Sequence, residues 1–341
     1  LAGDEREDGK GYNGGFQHGK IPTVDLKSLI VFSVRFFVLG KIKVYPFGSL
    51  KGVFAHDLSV TFQFNVALHN RGAFKLTHPL RFGGSAMGGI LQGKKGLVVG
   101  IANDQSIAYG CAQAFRAEGA ELALTYVNEK AKPYVTPLGE RLGAEIFEPC
   151  DVRESGQVEA LFDSIGKHWG KLDFLLHSVA FAPRDDLHGR VIDCSQEGFD
   201  MAMNVSCHSF LRMARHAEPL MAEGGVLMTM SYYGAEKVVD RYNLMGPVKA
   251  ALEASVRYMA TELGPQGIRV YALSPGPVPT RAASGIDRFD ELMEAAAARA
   301  PRHALVTIDQ VGALAAFLAS DKATGMTGNV VYVDNGYNIR G

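Results

Sequence analysis

From Lys95 onward the apolar residues fall into a regular alternation of short continuous runs and longer amphipathic stretches. The runs at 96–100, 120–126, 146–152, 172–180, 225–231, 268–274 and 330–333 are too short for helices and read as buried strands. Between them, 106–118, 157–169, 199–221, 249–263 and 308–320 carry apolar residues at helical spacing, several stopped by Gly119, Gly170 or Gly264 with Pro265. Strands alternating with helices in this way predict an α/β domain, an open doubly wound parallel sheet with helices on both faces. Residues 281–300 are rich in Ala with few large apolar anchors, which predicts a lid beyond the sheet's ligand edge.

Residues 1–86 follow no such period, although they hold about half of the 19 phenylalanines. The apolar stretch 29–39 is interrupted by Arg35 and falls short of the ~20 residues a membrane helix needs, so no span is expected. The acidic start Asp4-Glu5-Arg6-Glu7-Asp8 does not fit a secretory signal. The expected organisation is an N-terminal extension, 1–86, that is upstream translation, a non-catalytic extension or an ordinary disordered leader, and one α/β domain, 87–341, with Met87 as functional start.

Net charge of −1 gives no global attraction to nucleic acid or an anionic membrane. The four cysteines, Cys111, Cys150, Cys194 and Cys207, lack the paired short spacing of zinc or redox motifs, and no histidine spacing suggests converging ligands. Buried thiols in a reducing cytosol and no metal are therefore expected.

In a doubly wound sheet, ligands bind beyond the carboxyl ends of the strands. The first such loop, from Gly100 to Gly110, is not G-x-G-x-x-G, yet it has a glycine where the strand turns and small residues at a helix start, as a pyrophosphate requires. Alone it serves equally as a plain turn. After the second strand stand Val127, Asn128, Glu129 and Lys130 without an arginine pair for a 2′-phosphate, which favours NADH over NADPH. Asp151 either accepts from an adenine amino group, with Val152 packed on the ring, or caps a turn. Thr280 either donates to a carboxamide or occupies a surface turn.

Tyr242 and Lys249 are seven residues apart, about two helical turns, so on one helix both heads would reach one ligand. The ammonium's field would favour partial charge on the phenol oxygen and suit a sugar's hydroxyls. Pro247 is comfortable only in a first turn, which requires the helix to start near Asn243 or Leu244 or to kink.

These residues together resemble the short-chain dehydrogenase/reductase superfamily, and within it the bacterial NADH-dependent enoyl-acyl-carrier-protein reductases. The likeness spans about residues 88–341. It rests on the 100–110 loop with Ser106-Ile107-Ala108, Asp151-Val152, His177-Ser178-Val179-Ala180-Phe181-Ala182, Ser231-Tyr232-Tyr233-Gly234-Ala235-Glu236, and Tyr242-Asn243-x-Met245-Gly246-x-x-Lys249-Ala250-Ala251-Leu252-Glu253. Six residues between Tyr and Lys, instead of the superfamily's usual three, and a second tyrosine at 232 single out the enoyl reductases. Pro275, Pro279 and Pro247 depart from the family pattern.

The resemblance implies a Rossmann fold and reduction of a trans-2-enoyl-acyl-carrier-protein by NADH in fatty-acid elongation. It implies Tyr242, Lys249 and Tyr232 as catalytic residues. Gly100, Ser106, Ile107, Asp151, Val152, Ser178, Ala180, Lys249, Val278 and Thr280 would line NAD. An acyl-carrier protein as partner, a homotetramer and a cytoplasmic location are further expectations. The rivals are a general carbonyl reductase, which would want the shorter Tyr-to-Lys spacing, and a non-catalytic dinucleotide sensor, which would need neither residue.

Overall fold

The computed structural model describes residues 88–280 and 288–340. The expectations for residues 1–86, for Met87 as the start and for 281–287 of the lid lie outside the described residues.

Seven strands form one parallel sheet: β1 (Lys95–Val99), β2 (Glu121–Tyr126), β3 (Ile146–Pro149), β4 (Phe174–His177), β5 (Gly225–Met230), β6 (Ile268–Pro275) and β7 (Val330–Val333), in the order β3-β2-β1-β4-β5-β6-β7. The chain steps outward from β1 to β3 and then returns to the other side of β1 at β4. This reversal opens a crevice between the loops that follow β1 and β4.

Side chains alternate across the sheet, so Leu97 and Val99 of β1 enter one core and Val98 the other. On the first face pack α3 (Gln157–Trp169), α5 (Gln196–Met203), α6 (Ser209–Ala217) and α7 (Met245–Leu263), through Leu161, Ala202, Phe210 and Leu252. On the second pack α1 (Ile107–Ala117), α2 (Lys132–Leu142) and α9 (Ile308–Ala319), through Phe115, Leu138 and Val311. Burial of both faces explains why the strands read as unbroken apolar runs. The short α4 (Arg184–Leu187) and α8 (Phe289–Arg299) lie in the connections after β4 and β6.

The structure departs from the sequence expectation in four places. Helix α2 went unpredicted because Pro133 and Pro137 stand in it; Pro133 occupies the first turn, where no N–H is needed, while Val135, Leu138 and Leu142 form a buried stripe. The single helix expected over 199–221 is divided by a five-residue π turn, Asn204–His208. Ser209 donates back to the Val205 carbonyl oxygen at 2.6 Å, a bond of the kind that disturbs a regular ladder. Strands β3 and β4 stop at Pro149 and His177, which leaves Asp151, Val152, Ser178 and Ala180 in the loops beyond them. Helix α7 begins at Met245, one residue beyond the start near Asn243 or Leu244 that Pro247 required as the alternative to a kink, so Pro247 sits in its first turn and Tyr242 precedes the helix, off the shared helix face.

Candidate active site

The loop after β1 is fixed from within. Gly100 has φ +113°, and a Cβ there would collide with the Ser178 carbonyl oxygen, so only glycine lets the β1 and β4 loops approach this closely. The Ser106 hydroxyl accepts from the Ala102 and Asn103 amides, both at 3.0 Å, and donates to the Asn103 side-chain oxygen at 3.2 Å. Its role is therefore to shape the loop that presents the N-terminus of α1, where Ile107 begins. The Ser178 amide donates to the Val99 carbonyl at 2.9 Å, which extends the β1–β4 pairing into the site.

These residues border a groove of about 780 Å3 that runs from Thr125, Asn128 and Lys130 at the end of β2, past Asp151 and Val152, to Ser178, Ala180, Lys249 and Thr280. Asp151 is buried, and its carboxylate is gripped by Arg153, through Nε at 3.0 Å and Nη2 at 2.6 Å. The guanidinium holds that carboxyl below the usual range. The turn-forming reading of Asp151 thus describes this structure; an adenine amino group would have to share an oxygen with Arg153. Arg153 itself lies in the groove with its guanidinium 5.7 Å from the Phe181 ring, and nothing in the sequence singled it out.

The shared-helix expectation for Tyr242 and Lys249 does not hold. Tyr242 sits in a turn between two left-handed residues, Arg241 at φ 65° and Asn243 at φ 40°, and the Asn243 side chain donates to the Leu187 carbonyl at 3.0 Å. Lys249 is in the second turn of α7, buried, and its ammonium donates to the Met230 carbonyl at the end of β5 at 2.7 Å. Burial lowers its pKa to about 8. Burial, then Tyr232 and Glu253, push the Tyr242 pKa upward, so the phenol keeps its proton.

Beside the groove lies a smaller apolar cavity of about 190 Å3, bounded by Tyr232 and Tyr242, Met245, the Pro275–Pro277 turn, and Phe289 and Leu292 of α8. The two tyrosine rings meet edge to face with centroids 4.8 Å apart. The Tyr232 hydroxyl is buried without a hydrogen-bond partner among the described residues, and burial raises its pKa. Groove and cavity share Ile107, Ala180, Phe181 and Thr280 in their walls, so they lie side by side. Val278, expected along the cofactor, borders the cavity rather than the groove. Phe289 and Leu292 were missed individually, although their i, i+3 spacing in an Ala-rich segment was a legible signal.

Two polar groups behind these walls complete the setting. Ser231 donates to buried Glu253 at 2.5 Å and anchors the strand end that leads into Tyr232. In the π turn, the Ser206 hydroxyl accepts from the Phe181 amide at 2.9 Å and donates to the Phe181 carbonyl at 3.1 Å, which fixes the residue shared by both spaces. His177, by contrast, is a satisfied core histidine. Ser209 spends its hydrogen on Val205, so the histidine Nε2 donates to Ser209 at 2.7 Å while Thr229 donates to Nδ1 at 2.9 Å. Burial lowers its pKa to about 3.

A parallel sheet with a dinucleotide-sized groove at its reversal point, and a buried Lys and Tyr where that groove meets an apolar cavity, defines a Rossmann-type oxidoreductase of the short-chain superfamily. The chain belongs to the enoyl-(acyl carrier protein) reductase family, whose model matches residues 100–338. It is 47% identical over 253 residues to the NADH enoyl-acyl-carrier-protein reductase of Rickettsia felis, covering 74% of this chain and 97% of that one. Among solved structures, the Anaplasma phagocytophilum enoyl-acyl-carrier-protein reductase in complex with NAD is 48% identical, with TM-score 0.72 over 74% of this chain and 97% of that one. The Bacillus cereus reductase, solved with NADP+ and an indole naphthyridinone, is 42% identical with the same TM-score, over 74% and 99%.

Proposed function

We propose that this chain reduces the carbon–carbon double bond of a trans-2-enoyl-acyl-carrier-protein with NADH, the reductive step of fatty-acid elongation. The observation that carries the reading is that the groove holding Lys249 adjoins, through shared wall residues, the apolar cavity holding Tyr232 and Tyr242. An acyl chain is apolar and needs such a cavity; its thioester oxygen needs a donor at the junction.

The groove's residues fit a dinucleotide. The close approach at Gly100 and the α1 N-terminus beside Ile107 suit a pyrophosphate. Val152 would pack on adenine, with Asp151 sharing its carboxylate between Arg153 and the ring's amino group. Ser178, Ala180, Val278 and Thr280 would flank the nicotinamide, and Lys249 would turn from the Met230 carbonyl to the ribose hydroxyls. With no arginine among the groove residues at the end of β2, NADH is the better match.

When bound, NADH supplies the hydride that adds to the β-carbon of the enoyl group. The chain's own contribution is electrostatic. Negative charge gathers on the thioester oxygen as the double bond is reduced, and the protonated Tyr242 hydroxyl donates to that oxygen where charge develops. The apolar walls exclude water, which strengthens that hydrogen bond. Tyr232 places a second, unspent hydroxyl beside Tyr242 to receive the substrate. The acyl-carrier protein is the partner, the assembly a homotetramer and the compartment the cytoplasm, in keeping with four unpaired cysteines.

The test is NADH oxidation, with NADPH in parallel, using crotonyl-CoA as substrate and a ketone as control. Turnover of crotonyl-CoA with NADH and not of the ketone is expected. Reduction of the ketone alone would make the chain a carbonyl reductase instead.

A further inference from the structure

Three walls of the apolar cavity are tied to one element that does not line it: the strand β7 and the C-terminal 3-10 turn Tyr337–Ile339. The Gly276 amide, in the wall formed by the Pro275–Pro277 turn, donates to the Val333 carbonyl at 2.8 Å. Tyr233, directly after Tyr232, lies against Tyr332 and Tyr337, with centroids 6.3 and 5.5 Å away in edge-on geometry. Tyr332 donates to the Glu236 carboxylate at 2.8 Å, closing the same turn. Helix α8, whose Phe289 and Leu292 border the cavity, buries Ala296 and Ala300 against Tyr233 and Tyr337. The guanidinium of its Arg299 lies 5.1 Å from the Tyr337 ring and donates to the Arg340 carbonyl.

The turn is itself rigidly made. The buried Asp334 carboxylate accepts from the Gly336 amide at 2.9 Å, the Asn338 amide at 2.7 Å and the Asn338 side chain at 2.9 Å. Gly336 at φ +85° brings the backbone against Pro301.

We infer that Tyr337 is a positioning residue for acyl recognition, the common seat on which the Tyr232–Tyr233 turn and α8 rest, and that it sets the width of the acyl pocket from outside. The inference builds on the enoyl-reductase reading. One face of α8 is small alanines, which pack in one buried cluster with the Tyr337 and Tyr233 rings, and its Arg299 lies over the Tyr337 ring.

Tyr337→Ala is the test. The KM for a dodecenoyl thioester should rise ~10-fold, that for crotonyl-CoA much less, with NADH affinity unchanged; Tyr337→Phe, which keeps the ring, should restore the long-chain value. Backbone amides at 232–236 and 289–300 should exchange with solvent faster in Tyr337→Ala, while those at 96–110 should not. Exchange unchanged at both segments, or an equal rise in both KM values together with weaker NADH binding, overturns the inference. If Tyr337→Ala does not fold, Arg299→Ala gives the same readouts. Because exchange needs no substrate, it decides the seat even if the wild-type protein reduces no enoyl thioester, a result that would instead remove the functional reading.

Discussion

The groove and the cavity share a wall yet are built on opposite principles. In the groove the polar groups are already satisfied by the protein: Ser106 by its own loop, Asp151 by Arg153, Lys249 by Met230. Each has a protein partner before a ligand arrives, so a ligand that recruits Lys249 or Asp151 exchanges one partner for another and gains mainly from preset backbone and shape. In the cavity the Tyr232 hydroxyl is buried with no partner among the described residues, and the walls are rings, prolines, aliphatic side chains and small residues. An unsatisfied buried hydroxyl costs about 1–3 kcal/mol in the free protein, and a substrate that satisfies it recovers that cost. The groove is preorganised for binding and the cavity keeps its polar capacity for the reacting oxygen.

The contrast is broken most severely by removing the donor. Tyr242→Phe keeps the edge-to-face ring contact but should lower kcat by about 100-fold or more, with NADH affinity unchanged in a binding titration. On the groove side the largest effect belongs to Gly100→Ala, which adds a carbon against the Ser178 carbonyl at a φ that disfavours any side chain. Loss of NADH binding and a fall in stability of about 1–3 kcal/mol are expected, read by fluorescence and thermal unfolding.

Lys249 gives a pH signature. Its folded pKa of about 8 lies below the ordinary value of 10.5, so it is charged below pH 8 and loses its proton as pH rises through that value. NADH affinity should fall by roughly 10-fold over that rise, and Lys249→Met should show weak binding without the slope. Stability should move the other way: between about pH 8 and pH 10.5 the unfolded chain holds the extra proton, so this group's contribution favours folding more as pH increases.

The smallest effect sharpens the comparison. Tyr232→Phe deletes only the unpartnered hydroxyl, so the free protein should become more stable by about 1 kcal/mol, while kcat with an enoyl thioester falls by roughly 10-fold or less. Removing Ser106's hydroxyl, in contrast, should destabilise, because its partners in the loop are left unsatisfied. Melting curves of Tyr232→Phe and Ser106→Ala that shift in the same direction would erase the distinction between the two regions.

The alternating pattern of apolar runs and amphipathic stretches determined the doubly wound sheet, because strands buried on both faces must be continuously apolar whatever surrounds them. The sequence also determined the family through the combined motifs from Gly100 to Glu253, and it located the site, since ligands in such sheets meet the carboxyl ends of the strands. Pro247 already offered, from the sequence, a helix start beyond Tyr242 as the alternative to a kink; the tertiary structure chose the start, with two left-handed residues that put Tyr242 in a turn and Lys249 in the helix. It also decided that Asp151 is held by Arg153, that His177 is a core residue, and that Tyr337 lies under a turn some hundred positions earlier in the chain. Local periodicity reports which way a side chain faces within its own element. Which side chains from different elements come to share one space is set by how the elements pack, and no spacing along the chain encodes that.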